Sequence, residues 1–370
     1  MKLIDRSIAL RFLGNFVTLF CILYVFLVSI DVVLQFDSFV GAARAAVDEG
    51  RFGSIPFATV AAIFDFHGPR VFQFFAYMVG LVSVAAAGFT LSHMQRSREL
   101  VALLASGFPL QRVALSILVA ALGLNALQVV NQELVIPGLA KVLLREHGQI
   151  LSTDRGNFMV PLTRDIHDNL LYAAELDPET DEATELLVLV RDQQGTAVSR
   201  IFAPTARWDD AGARWLLEGG AMVERTEMDQ GVVELSQPVA SYQTDLSPRS
   251  LSVRRYRQHA QMLSTVQIAG LRAEGGDATS GLARIVWSRV GTIGINMLIL
   301  VIVLPAFLRR LPAPLLIQSV QCATIGVPLL LASVVVMMMP VTGVSPAVMA
   351  LLPAAILMPF AFWRLASTPT

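Results

Sequence analysis

The sequence predicts an α-helical, polytopic membrane protein with six transmembrane helices and a β-rich domain inserted between the third and the fourth. Three observations predict it. Of 370 residues, 54% are hydrophobic and only 15% charged, whereas soluble domains run near about 45–50% apolar and roughly 25% charged. Five or six apolar runs are long enough to cross a hydrocarbon core. The charge is gathered into one stretch: Pro137 to Ala283 holds 14 basic and 21 acidic residues, and from Arg284 to the end there are five arginines and no acid.

The apolar runs are Phe12–Ile30, Val71–Met94, Val113–Ile136, Ile285–Leu308, Leu315–Met339 and, shortest, Pro346–Trp363. Pro340 and the Thr342-Gly343 pair make a turn between the last two. The first run is longer than the apolar core of a cleaved signal peptide, so a retained span is expected. Basic residues in short loops set the orientation. With six spans, Lys2, Arg6 and Arg11, then Arg96, Arg98 and Arg112, then Arg309 and Arg310, and finally Arg364 all fall on one side. That side is the cytoplasm. Both termini are then cytoplasmic, the loop Gly41–Arg70 and the insert are periplasmic, and the chain belongs in a bacterial inner membrane.

The insert reads as β. Asn157–Leu162, Leu170–Glu175, Leu186–Arg191, Val198–Ala203, Arg214–Glu218, Ala221–Arg225 and Val232–Leu235 are short apolar or alternating runs, separated by turn signals such as Asp209-Asp210-Ala211-Gly212 and Gly219-Gly220. Seven strands at this spacing suit a sandwich, a jelly roll or an open barrel. Val188, Val198 and Val233 are the expected inward-facing positions. After Pro248 the pattern becomes helical, and Gly275-Gly276 and Ser280-Gly281 lead into the fourth span. The domain bounds expected are 1–138, 139–283 and 284–370.

Chemical motifs are absent. The sequence has no Walker A pattern, nucleophile elbow, H-E-x-x-H or dinucleotide-binding glycines. Cys21 and Cys322 lie in apolar runs, and the five histidines are dispersed, so no catalytic or metal-binding residue is assigned. Nothing resembles a nucleic-acid patch. One cytoplasmic segment, about 96–107, reads as a short amphipathic helix. Glu99 begins it, Leu100, Leu103 and Leu104 form an apolar edge, and Gly107 and Pro109 end it. Such an edge suits a groove in a partner. Polar residues also punctuate the spans: Asp31 and Gln35, then Asn125, Gln128, Asn131 and Glu133, then Arg289, Asn296, Gln318 and Gln321. Those of the third to fifth spans either pair between helices or line a cavity, and Asp31 is either a functional residue within its span or an interfacial one at its end.

In this arrangement the chain resembles the LptF/LptG permease family of the lipopolysaccharide-export ABC transporter. Glu99-Leu100-Val101-Ala102-Leu103-Leu104-Ala105-Ser106-Gly107 is similar to that family's coupling segment, and Asn131-Gln132-Glu133-Leu134-Val135-Ile136-Pro137 to its N-E-x-x-x-P motif with one extra residue. Arg214-Trp215-Leu216-Leu217-Glu218-Gly219-Gly220 looks like its W-x-L-x-x-G hairpin. Met262–Ile268, Ser288-Arg289 and Leu304–Arg309 look like the elements around its fourth span. The resemblance implies a periplasmic jelly-roll-like domain and a permease that extracts lipopolysaccharide or a related lipid. It implies as partners a second permease, a periplasmic β-jelly-roll bridge protein and a cytoplasmic ABC ATPase dimer that docks on Arg98, Glu99, Leu100, Leu103, Leu104, Ser106 and Gly107. No cofactor is expected in this chain, because ATP and magnesium would sit on the ATPase. Asp31, Gln35, Arg289, Asn296 and Gln318 are the substrate-cavity candidates. One departure stands out. Basic residues would be expected near the periplasmic end of span one to grip lipid phosphates, and this chain has Asp31, Gln35 and Asp37 there. Two readings compete: a permease of the lipoprotein-release or macrolide-efflux type, and a membrane-tethered sensor or structural protein without an ATPase.

Overall fold

The computed structural model describes residues 3–366 apart from 146, 148–149, 152–156, 179, 193, 229–230, 259, 274–278, 309–314, 340 and 342. The chain divides into two compact units, Met1–Leu143 with Ala260–Thr370, and Leu144–His259. The insert is therefore narrower than 139–283, because the stretch from Ala260 groups with the helices.

The first unit is helical. Its elements are α1 (Leu3–Leu34), α2 (Phe36–Asp48), α3 (Ile55–His67), α4 (Arg70–Arg96), α5 (Glu99–Ala105), α6 (Leu110–Val130), a π-helical turn (Asn131–Val135) and α7 (Ile136–Leu143). After the insert come a 3-10 turn (Ala260–Met262), α9 (Thr265–Ala273), α10 (Thr279–Phe307), α11 (Leu315–Met338) and α12 (Pro346–Ala366); α8 (Pro248–Gln258) precedes them in the second unit. Among the described residues, five helical stretches are long and apolar enough to cross a membrane: Leu3–Leu34, Arg70–Arg96, Leu110–Ala140, Gly281–Phe307 and Pro346–Arg364. Helices are the form such runs must take, because lipid offers no partner to an open backbone.

The Gly41–Arg70 loop of the sequence reading is instead mostly helix. In α2, Phe39, Ala43 and Ala46 recur at helical spacing, and in α3 so do Ala58, Ala62 and Phe66; all are buried. Small residues bring the two helices close, and the Phe39 and Phe66 rings meet edge to face at 5.7 Å.

The helical core runs along α4, α6 and α10. Ile299, Val303 and Phe307 of α10 pack with Val82, Ala86 and Leu91 of α4 and with Val113, Ile117 and Ala121 of α6. Glycines set the closest approaches. A Cβ on Gly80 would stand 2.1 Å from Asn296 Oδ1, and one on Gly291 would stand 2.4 Å from the Ala350 carbonyl oxygen. In α1 the buried residues are Asp5, Ile8, Phe12 and Phe16, all in its first half. Its second half exposes Val25, Phe26, Ile30 and Val33.

The second unit is one antiparallel sheet. Its strands are β1 (Phe158–Arg164), β2 (Leu170–Asp177), β3 (Glu182–Arg191), β4 (Ala197–Asp209), β5 (Arg214–Glu218), β6 (Ala221–Met228), β7 (Gly231–Pro238) and β8 (Ser241–Gln243). They follow the order β1-β2-β3-β4-β5-β8, and β6 branches from β4 to carry β7. The branch follows from the length of β4. Its last part, Thr205–Asp209, pairs with β5, and its first part, Ser199–Phe202, pairs with β6. Alternation along β4 buries Ser199, Ile201 and Ala203 and turns Val198 outward. Val198 is thus not the inward position expected of it. Val188 is fully buried, and the Val233 side chain lies outside the described residues.

Trp215 anchors this core. It is fully buried, its Nε1–H donates to the Leu246 carbonyl at 3.0 Å, and its ring meets Trp208 at 5.4 Å. The chain passes from β5 to β6 at Gly219, whose φ of +67° favours glycine; the two strands do not pair with each other but both pair with β4. Asp165 organises the β1–β2 turn: it accepts the His167 and Asn169 amides at 2.9 Å and the Tyr242 hydroxyl. Burial, and then the hydrogen bond to Asp165, pushes the Tyr242 phenol well above its usual range, so it stays a neutral donor.

Two glycine substitutions test the helical packing. Gly80→Val should displace Asn296 and lower the thermal midpoint of the purified protein, since overpacking costs about 1–3 kcal/mol. Gly123→Ala, where a Cβ meets nothing within 4 Å, should leave it unchanged. Equal midpoints for both variants would contradict this packing.

Candidate functional site

Two places in the helical unit gather functional side chains, one at each end of α6. At the far end from α5 lies a cleft of about 310 Å³, lined by α4, α6, the π turn, the 3-10 turn, α10 and α11. Its construction starts with Arg289, on α10. A guanidinium in an apolar helix must be neutralised and fully hydrogen-bonded. Glu133 does the first at 3.1 Å. The remaining donors go to Thr265 Oγ1 at 3.2 Å and to the Gln261 and Leu263 carbonyls at 3.3 and 2.5 Å.

Glu133 in turn accepts the Thr265 backbone N–H at 2.7 Å and its hydroxyl at 2.6 Å. It therefore sits at the N-terminus of α9, where a carboxylate is favoured by the helix dipole. Ser264 and Gln267 complete that helix start reciprocally, the Gln267 amide donating to Ser264 Oγ at 3.2 Å and the Ser264 amide to Gln267 Oε1 at 2.9 Å. Gln132 donates to the Gln261 carbonyl at 2.8 Å. The segment 261–265 is thus strapped across the cleft by Gln132, Glu133 and Arg289. All three acting residues lie on the π turn or on α10. The extra residue in the N-E-x-x-x-P-like motif falls inside the π turn, and i→i+5 pairing takes up one additional residue.

Deeper in, Asn125 and Asn296 face each other, Asn296 Nδ2 donating to Asn125 Oδ1 at 3.2 Å. Both also line the cleft. Pairing between helices and cavity lining, the two readings open for the span polar residues, therefore hold together at this seam.

The second place is α5. Arg98 precedes it with a positive φ of 57°, Gly107 follows with φ +76°, and seven residues stand between two sharp turns. Leu100 is buried in the bundle core, and Leu103 and Leu104 are half-buried against it. The apolar edge expected to face a partner thus turns inward, because the short helix folds back on α4. The surface it presents outward is Val101, Ala102, Ala105 and Ser106. Glu99 forms an ion pair with Arg11 of α1 and accepts the Ser97 hydroxyl at 3.0 Å. On the other flank, Arg112 of α6 grips Asp5 of α1 in bidentate fashion at 3.1 and 3.0 Å. A groove of about 320 Å³ between α1 and α5 is lined by Ile4, Ile8, Met94, Glu99 and Leu103.

The cavity candidates separate. Arg289 and Asn296 line the cleft. Asp31 lies instead at the end of α1, 3.3 Å from His67 Nε2, and Gln35 sits at the α1–α2 junction. The Gln318 side chain lies outside the described residues. Sequence reasoning did not foresee Thr265, Gln261 or the Glu133–Arg289 pair. The Ser-x-x-Gln start of α9 is the signal that marked where a carboxylate would be welcome. Nearby, Arg51 pairs with Glu49 at 2.7 Å, and Arg70 stacks 3.4 Å over the Phe66 ring.

The family model described as lipopolysaccharide export system permease LptF/LptG matches residues 6–367, nearly the whole chain. No curated protein matches.

Glu133→Gln and Arg289→Gln should each destabilise the purified protein by about 1–3 kcal/mol, because each leaves a partly buried charge unpaired. The double variant should cost less than the sum, with a coupling of about 0.5–3 kcal/mol. Thermal unfolding of all four proteins gives that cycle, and strict additivity would contradict the pairing.

Proposed function

The chain belongs to the LptF/LptG permease family of lipopolysaccharide export, and we propose that it extracts lipopolysaccharide or a related lipid from the inner membrane and passes it toward its own β-insert. As a member of that family it is a transporter component of the inner membrane rather than an enzyme by itself. In the proposed arrangement α11 completes six spans, both termini are cytoplasmic, and the β-insert is periplasmic. A second permease of the same family pairs with this one, and a periplasmic jelly-roll protein receives the lipid. The unpartnered apolar half of α1, with Val25, Phe26, Ile30 and Val33 exposed, supports a partner or lipid along that face.

The observation that carries the coupling to an ATPase is the α5 knob. It is short, closed at both ends by positive-φ residues, and tied to α1 on one flank by Arg11–Glu99 while Asp5–Arg112 ties α1 to α6 on the other. A push on such a knob moves α1 with it. The family's coupling residues map to Arg98, Glu99 and Ser106-Gly107 here, with Val101, Ala102 and Ala105 supplying the apolar contact in place of Leu100. Burying the Val101 side chain in a partner groove contributes about 1.5–3 kcal/mol. Glu99 offers a charge-assisted hydrogen bond of similar size. ATP and magnesium belong to that partner.

Glu99→Lys and Val101→Asp should weaken ATPase copurification or uncouple hydrolysis from lipid release in proteoliposomes, with the permease still inserted. Arg11→Ala removes the pairing within the chain but keeps Glu99, so it should retain ATPase binding. Glu49→Lys, on the segment between α2 and α3, should be nearly silent. Wild-type association and wild-type release in both Glu99→Lys and Val101→Asp would remove α5 from the coupling path.

A further inference from the structure

We propose that the cleft between α4, α6, α10 and α11 binds one uncharged amphiphile, an acyl chain with a hydroxyl, ester or amide head, inside a single permease. Its charge balance points there. The two charged lining groups, Glu133 and Arg289, hold each other, and Arg289 also donates to Thr265 and to the Gln261 and Leu263 carbonyls. A phosphate seeking Arg289 would displace Glu133 and leave a partly buried carboxylate uncompensated. The polar lining that remains is neutral, with amides such as Gln73, Gln128 and Gln132 and hydroxyls such as Tyr77, Ser288 and Thr292. Beside the bonds that Gln132 gives to Gln261 and Gln128 takes from Asn131, these groups carry further donors and acceptors, the set that an ester or hydroxyl head satisfies.

The facing wall is apolar. Val334, Met337 and Met338 of α11 present branched and thioether surface, and methionine adapts to a flexible chain. At about 310 Å³, the space is at the lower end of small-ligand pockets, which run from about 300 to 1,000 Å³. It admits one chain and a small head, not a lipid carrying several chains. This site is separate from the lipid path proposed above, since it lies within one chain and disfavours phosphate.

The test uses the full-length protein in phosphatidylcholine nanodiscs and two photoreactive probes with the same diazirine acyl chain. One is a monoacylglycerol. The other is its phosphorylated counterpart, a lysophosphatidic acid. Labelled peptides are mapped by mass spectrometry. The monoacylglycerol should mark 285–296 and 334–338 about tenfold more than the phosphorylated probe, and unlabelled monoacylglycerol should compete. Ala76→Phe, which places a ring in the void, should remove that labelling while leaving the signal on the exposed α1 face around Phe26 unchanged. Should Ala76→Phe not yield folded protein, Gln132→Leu takes its place, because it deletes one amide at nearly constant volume. Equal or stronger labelling by the phosphorylated probe, or labelling that neither variant reduces, overturns the proposal. Neither ATPase nor lipopolysaccharide is present, so this outcome is independent of the export reading.

Discussion

An arginine in a membrane helix imposes terms on everything near it. Arg289 cannot be left unpaired in an apolar bundle, and the structure answers with a carboxylate, a hydroxyl and two backbone carbonyls. Each partner comes from a different local device. Glu133 is presented by a π turn, Thr265 begins α9, and the carbonyls belong to the strap that follows the insert. One half-buried cation thus joins the end of α6, the start of α9 and the point where the chain rejoins the bundle. It also leaves the neighbouring cleft without net charge, because its two charged lining groups, Glu133 and Arg289, hold each other.

The opposite end of the bundle follows a different logic. There Arg11–Glu99 is exposed, and a pair of this kind contributes little to stability, about 0–1 kcal/mol, while Asp5 is buried against Arg112. The value of both pairs is positional. Arg11–Glu99 holds the start of α1 to α5 and Asp5–Arg112 holds it to α6, while the far half of α1 is mostly exposed. A helix held firmly at one end and loosely along the rest is suited to transmit a displacement applied at the firm end. Elsewhere in the bundle, Gly80 against Asn296 and Gly291 against the Ala350 carbonyl bring α4, α10 and α12 close together.

Much of this was legible in the sequence. Apolar runs marked the long helices, because span length is fixed by bilayer thickness. Turn residues mark the strand ends, although Gly219-Gly220, which reads as a hairpin turn, instead passes the chain between two strands that pair separately with β4. What escaped was local. The segment after α1 reads as loop in the sequence because α2 and α3 have 13 residues each, too few to cross a membrane. Leu100 was read as an outward edge, since helical spacing identifies a face but not which way it turns. Its burial depends on how a seven-residue helix folds back between two positive-φ turns. The strand β8 has only three residues, too few to show a period. The Glu133–Arg289 pair joins residues 156 positions apart, a distance at which sequence pattern carries no geometry.

In the proposed arrangement energy enters at α5 and lipid leaves at the β-insert, on opposite faces of the inner membrane. Labelling with a membrane-impermeant thiol reagent tests it most directly. Single cysteines replace Val101 in α5 and Asp210 in the β4–β5 turn, in a background with Cys21 and Cys322 changed to serine. In right-side-out vesicles the cysteine at 210 should react and the one at 101 should not, and in inverted vesicles the pattern should reverse. Reaction of both positions from the same side would contradict the account.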